Sequence, residues 1–217
     1  FQPSFELANS FRTDANGLPL LDGSYNSDAN KLATDMGIES DEPFTPDAGN
    51  LDPRIDHSIG RRGIPYLDWG NHPGKDWIRD QPYAGPYAPK KFIYYEGGVG
   101  VENDASSWTP GYTAVNYNLI RFADVLLMAA EAHIEGTGGS LETARGYINQ
   151  VRQRAIDSPV ENEDGSNAAN YVIGLYDGFA DQAAARNAVR FERKLELSGE
   201  GHRLYDLVRW GIAAETL

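Results

Sequence analysis

The run Arg121-Phe-Ala-Asp-Val-Leu-Leu-Met-Ala-Ala-Glu-Ala132 decides the fold class, because its apolar side chains recur at helical spacing. With Leu119 upstream, Phe122, Leu126 and Ala129 repeat every three or four residues, and Val125 and Ala132 widen the stripe to the face a buried helix needs. Gly136, Gly138 and Gly139 end that helix. Ser140 is a residue type that caps helix N-termini, and Leu141, Ala144, Ile148, Val151 and Ala155 mark one face of a second helix until Pro159 stops it. The short link predicts an antiparallel hairpin. A third helix is predicted from near Asp181 to Leu197 with Ala184, Ala188, Phe191 and Leu195 inward, and Gly199 and Gly201 separate it from a fourth beginning near His202. Successive helix pairs of this kind are the tetratricopeptide-like pattern, in which each pair buries its face on the next and about three repeats are needed for stability. Two are visible, so the missing surface is expected from repeats before Phe1 or from the first half of the chain.

That first half reads differently. Eleven of the twelve prolines and three of the four tryptophans lie in residues 1–110, and Asn16-Gly17, Ile64-Pro65, His72-Pro73, Gly85-Pro86 and Ala88-Pro89 interrupt every short apolar run. Proline removes an amide donor and disfavours helix at the residue before it, so residues 1–115 are expected to be loops and turns packed on a scaffold or building a binding surface. Residues 116–217 are expected to form the helical part, and the two together one piece of a larger domain. The fold class is therefore mainly α, with stacked helical hairpins and a long loop-rich region.

At 217 residues and 41% hydrophobic content the chain can bury a substantial core. Nineteen basic against 32 acidic residues give a net charge of −13, the wrong sign for a phosphate backbone or an anionic lipid surface, so no nucleic-acid partner is expected. The absence of cysteine excludes disulfides, thiol nucleophiles and Cys-ligated zinc. His57, His72, His133 and His202 are scattered without a metal-ligand spacing. The acidic Glu161–Asn167 stretch fails as a calcium loop because Val160 would take the first ligand position and Tyr171 the last. No Gly-x-Ser-x-Gly elbow and no phosphate loop occur, so neither metal, cofactor nor catalytic nucleophile is expected.

Three residue groups then become familiar. Arg121 to Ala132, followed by Ala144, Ile148-Asn149, Val151-Arg152 and Arg154-Ala155, resembles the helical hairpin of the SusD/RagB family. Arg190-Phe-Glu-Arg-Lys-Leu-Glu-Leu197, Glu200-Gly201-His-Arg203 and Tyr205-Asp-Leu-Val-Arg-Trp-Gly211 resemble its second signature, in the same order. Gly17-Leu-Pro19 and Asp52-Pro-Arg54 extend the likeness more loosely. The resemblance implies a tetratricopeptide-based scaffold with a looped ligand face and a carboxy-terminal fragment of a longer protein. It also implies a lipid anchor, outside this fragment, in the outer membrane of a Bacteroidetes-type bacterium, and a SusC-like TonB-dependent transporter as partner. The function implied is non-catalytic binding of an oligosaccharide or polysaccharide for delivery to that transporter.

Within the loops, the run Tyr66-Leu-Asp-Trp-Gly-Asn-His-Pro-Gly-Lys-Asp-Trp-Ile-Arg79 carries the expected ligand contacts: Tyr66, Asp68, Trp69, Asn71, His72, Trp77 and Arg79. Sugars present apolar C–H faces edged by hydroxyls, which flat aromatics and planar polar groups match. The same tryptophans could equally serve as the small core of this half. Glu192, Glu196 and Glu200, spaced at i, i+4 and i+8, admit a glycoside-hydrolase reading, since paired carboxylates are what those enzymes use. Nearby Arg190, Arg193, Arg203 and Arg209 favour an ion-pair network instead, because pairing lowers a carboxyl pKa that a general acid needs raised. Asp124 and Glu131 have the same two readings, with Arg121 or Arg152 as expected partners. A helical-repeat module that binds a protein segment is the third reading.

Overall fold

A computed structural model describes residues 2–109 and 111–216. Its α-helices among these residues are α1 (Phe5–Asn9), α2 (Arg54–Ser58), α3 (Gln81–Ala84), α4 (Phe122–Glu135), α5 (Leu141–Ile156), α6 (Gln182–Glu196), α7 (His202–Arg209) and α8 (Ala213–Thr216). Two short strands, β1 (Ile59–Gly60) and β2 (Ala88–Pro89), pair antiparallel with Ile59 opposite Pro89. The long helices obey local capping chemistry. Ser140 accepts from the Thr143 amide to open α5, and Asp181 accepts from Ala184 to open α6. Gly201, at φ +78°, lets the chain reverse into α7.

Helices α4, α5 and α6 enclose one core of Leu127, Ala130, Ile134, Ala144, Ile148, Val151, Ala185, Ala188 and Val189, with Tyr176 beside them. The α5 face is the one its sequence marks. The α4 face is not: Leu119 and Phe122 are 77% and 73% exposed, while Ala123, Leu127, Ala130 and Ile134 turn inward. Apolar residues occupy nearly the whole circumference of α4, so periodicity alone cannot choose a face. The choice is made by Asp124, which is buried with Arg193 of α6 at 2.7 Å.

The loop-rich half supplies the second packing surface for α6. Phe11, Leu32, Leu51, Ile55, Ile59 and Tyr87 bury together with Leu195, with Phe191 against them, so α6 is shared between two cores. A third, smaller cluster gathers Tyr66, Ile78 and Ala88, with Trp69 and Ile93 beside it. Burying one side chain such as Phe11 fully is worth about 1.5–3 kcal/mol, which lets a region poor in regular structure hold its shape.

The two halves are also latched through backbone. Asp14 Oδ1 accepts from the amides of Asn16 and Leu18, closing a turn that brings Gly17 against Gly174. The Gly174 amide donates to Gly17 O at 3.0 Å, and Thr13 Oγ1 donates to Val172 O at 2.7 Å. Gly17 has φ +77°, and a Cβ there would stand 2.3 Å from Gly174 N. Gly17→Ala is therefore expected to destabilise the fold by about 2–4 kcal/mol, from a left-handed alanine plus a backbone clash. A urea midpoint unchanged from wild type would refute this.

Candidate functional site

Helix α6 ends on Glu196, and Glu200 follows one turn later, so two carboxylates sit at the negative end of a helix dipole. Cations from distant segments answer them. Arg121, at the start of α4, donates Nη1 to Glu196 Oε1 at 2.9 Å, and Nε and Nη2 to the two Glu200 oxygens at 2.8 Å. Arg154, in the last turn of α5, reaches both Glu196 oxygens at 2.7 Å. Lys91 pairs with Glu200 and donates to the free Glu196 carbonyl at 2.8 Å, a C-terminal cap supplied from the loops. Arg54 of α2 links Asp52 at 2.6 Å to Glu192 at 2.9 Å, and Arg152 also holds Glu192. Burial would raise the Glu200 pKa, but the Arg121 hydrogen bond and the Lys91 charge outweigh it and hold the carboxyl below its ordinary range. A general acid needs the opposite. Glu192 and Glu196 are likewise buried and wrapped by cations, Glu192 by Arg54 and Arg152 and Glu196 by Arg121 and Arg154.

Above this network opens a cleft of about 490 Å³, where α2, the ends of α5 and α6, and the segments around 91–93 and 115–121 meet. Phe92, Ile93, Asn116, Asn118, His57 and Arg154 are among the residues that line it. Phe92 is held at φ +62°, rare for a bulky residue, with its ring against Tyr117 at 4.5 Å. The Tyr117 hydroxyl donates to the Glu200 carbonyl and fixes that aromatic pair to the network. His57 Nε2 lies 2.8 Å from the Ser158 carbonyl, which can only accept, so Nε2 carries the proton and Nδ1 is free.

The run 66–79 is placed in a tight reversal, with Pro65 bridged to Asn71 and the Tyr66 amide donating to Gly70 O. The structure brings Tyr66, His72 and Trp77 together as edge-packed rings 5.3–5.6 Å apart. It also turns two of them inward: Tyr66 is 8% exposed and its hydroxyl donates to Pro89 O, and His72 is 1% exposed. Trp69 donates Nε1 to Tyr94 O and is half-buried, while Asp68 accepts from the Glu96 and Gly97 amides. Those amides, Gly97 foremost, hold the Asp68 carboxyl below its ordinary pKa. Trp77, Asn71 and Arg79 keep exposed surface but do not converge: Asn71 faces Asn162, Glu163 and Asp164, and Arg79 faces Asp80 and Tyr83. Sequence reasoning did not place His57, Phe92, Asn116, Asn118 or Arg154 in the site, because they assemble from four separated segments. The Asp52-Pro-Arg54 step was the nearest signal, since Arg54 borders the cleft and pairs with Asp52.

A model of the SusD family matches residues 1–217. The SusD-like protein P25 of Formosa agariphila is 43% identical over 102 residues, 47% of this chain and 16% of that protein. The SusD-like protein P2 of the same organism is 35% identical over 125 residues, 58% of this chain and 21% of its own length. Among solved structures, a SusD-like protein from Bacteroides fragilis superposes with a TM-score of 0.59 at 25% identity, covering 99% of this chain and 37% of that one. The chain thus spans about a fifth or less of these curated relatives and little more than a third of the solved one.

Proposed function

Because the chain belongs to the SusD family, we propose that the full-length protein captures a glycan at the cell surface and passes it to a SusC-like TonB-dependent transporter without altering it. It does so at the outer membrane, held by a lipid anchor outside this chain. The observation that carries this reading is the cleft: apolar Phe92 and Ile93 line it with the planar amides of Asn116 and Asn118 and the guanidinium of Arg154. That is the chemistry a sugar ring asks for, an apolar face bordered by groups that make paired hydrogen bonds. The saturated Glu192, Glu196 and Glu200 network beneath it supports binding over hydrolysis. Of the 66–79 run, Asp68, Asn71, Trp77 and Arg79 keep exposed surface, and the exposed ring of Trp77 is proposed as a further contact with a longer chain.

Isothermal titration of the full-length protein against a glycan panel tests this. At least one glycan is expected to bind and be recovered uncut, and Asn116→Ala combined with Asn118→Ala to weaken it about tenfold, the value of one or two lost hydrogen bonds. Binding of peptides in place of glycans, or release of new reducing ends, would overturn the reading.

A further inference from the structure

The charge balance under the cleft is uneven. Among the described residues, Asp52, Glu192, Glu196 and Glu200 form one network with Arg54, Arg121, Arg152, Arg154 and Lys91, so five cations meet four carboxylates in a chain of net charge −13. The surplus lies on the cleft side. Arg154 spends only Nη2 on Glu196; its side chain is 54% exposed, and Nε and Nη1 make no hydrogen bond among the described residues. Arg54, 4% exposed and bordering the cleft, has Nη1 without a hydrogen-bond acceptor, with Glu196 Oε2 standing 3.6 Å away. A buried guanidinium donor left without an acceptor is costly and is normally met by a water or a ligand oxygen. His57, in the last turn of α2, also lines this cleft, with Nε2 held by the Ser158 carbonyl.

The geometry points to an anionic group on the ligand, a carboxylate or a sulfate ester, received at the Arg154 side of the cleft. This rests on the glycan reading and narrows it to acidic glycans. A carboxylate or sulfate oxygen can accept charge-assisted hydrogen bonds from a remaining Arg154 donor and from the unpartnered Arg54 Nη1, which a neutral hydroxymethyl group cannot match in strength. Glu196 and Glu200 do not repel it decisively, because each is already engaged by at least two cations. The specificity therefore lies in one half-exposed arginine, while the neutral part of the site reads the ring.

The test titrates the full-length protein with sodium glucuronate, inorganic sulfate and glucose, following the His57 ring and Arg154 Nε–H signals by NMR. Glucuronate is expected to shift both signals saturably, glucose to leave the Arg154 signal unmoved, and Arg154→Gln to weaken glucuronate at least tenfold on the His57 signal. A response to sulfate as well identifies the receptor as one for either oxyanion; a response to glucuronate alone identifies a carboxylate site. No response to either anion, an equal response to glucose, or an undiminished response in Arg154→Gln overturns the inference. Neutral glycans binding in the calorimetric panel would then leave the broader reading intact, so the two fail separately. Arg154→Lys separates the guanidinium, which can hold Glu196 and the ligand at once, from charge alone: it is expected to restore part of the affinity, and full restoration would overturn the guanidinium's role.

Discussion

Arg152→Ala is expected to cost about 3–5 kcal/mol of folding stability, enough to consume much of the 5–15 kcal/mol a domain possesses. The side chain is fully buried and every donor is committed. Its Nε donates to Gly174 O at 2.6 Å, Nη2 to Gly17 O at 2.7 Å and Nη1 to Glu192, and its guanidinium lies 4.9 Å from the Tyr176 ring centre. Truncation leaves the Gly174 carbonyl without its side-chain donor, the Gly17 carbonyl with the Gly174 amide alone, Glu192 with Arg54 as its remaining cation, and a cavity the size of a long side chain. Arg152→Lys keeps the charge but cannot meet three acceptors in one plane, so it is expected to recover less than half of the loss. Urea unfolding of the three proteins checks both, and a loss below 1 kcal/mol for Arg152→Ala would show that the latch is not cooperative with the core.

The second large effect is a loss of stability in mild acid. His72 is buried, and its Nδ1 accepts from the Gly74 amide at 3.0 Å, so the folded form holds it neutral with the proton on Nε2. Burial, then the nearby Lys90 charge, pushes its pKa down to about 4 from 6.5. Between those values the unfolded chain binds a proton that the folded one refuses. Stability is therefore complete above about pH 6.5 and falls as pH drops toward 4, by about 3 kcal/mol in all. His72→Gln is expected to flatten the curve between pH 6.5 and 4.5. A wild-type curve already flat over that range would sink the assignment.

The helices were legible because their signals are local. Ser140 and Asp181 cap the helices they precede, Gly201 precedes α7, and the α5 stripe reads directly from its spacing. Partnerships between distant residues were not legible. The spacing suggested Arg121 or Arg152 for Asp124 and Glu131, yet Asp124 pairs with Arg193 and Glu131 with Arg209 and Trp210, while Arg121 and Arg152 serve the glutamates of α6. The same gap hid the cleft. An aromatic count says that rings are plentiful around 66–79, but not that Tyr66 and His72 turn inward while Phe92 comes to line an opening with Asn116 and Asn118. Which face of a turn looks outward depends on what packs behind it, and for 66–79 that is set by Pro89, Lys90, Ile78 and Ala88.

The closure between Gly17 and Gly174 sets an order in time. Loops that bring together positions so far apart in sequence must wait for the later one to exist, and long-range closure is slow compared with helix formation. The amino-terminal turn reaches its final bonds only after Gly174 and Arg152 have left the ribosome or crossed a membrane channel. Until then, Phe11, Leu51 and Ile55 lack the Leu195 surface that covers them, and the half-made chain exposes its apolar side. A protein assembled this way is most open to aggregation while its later half is still missing.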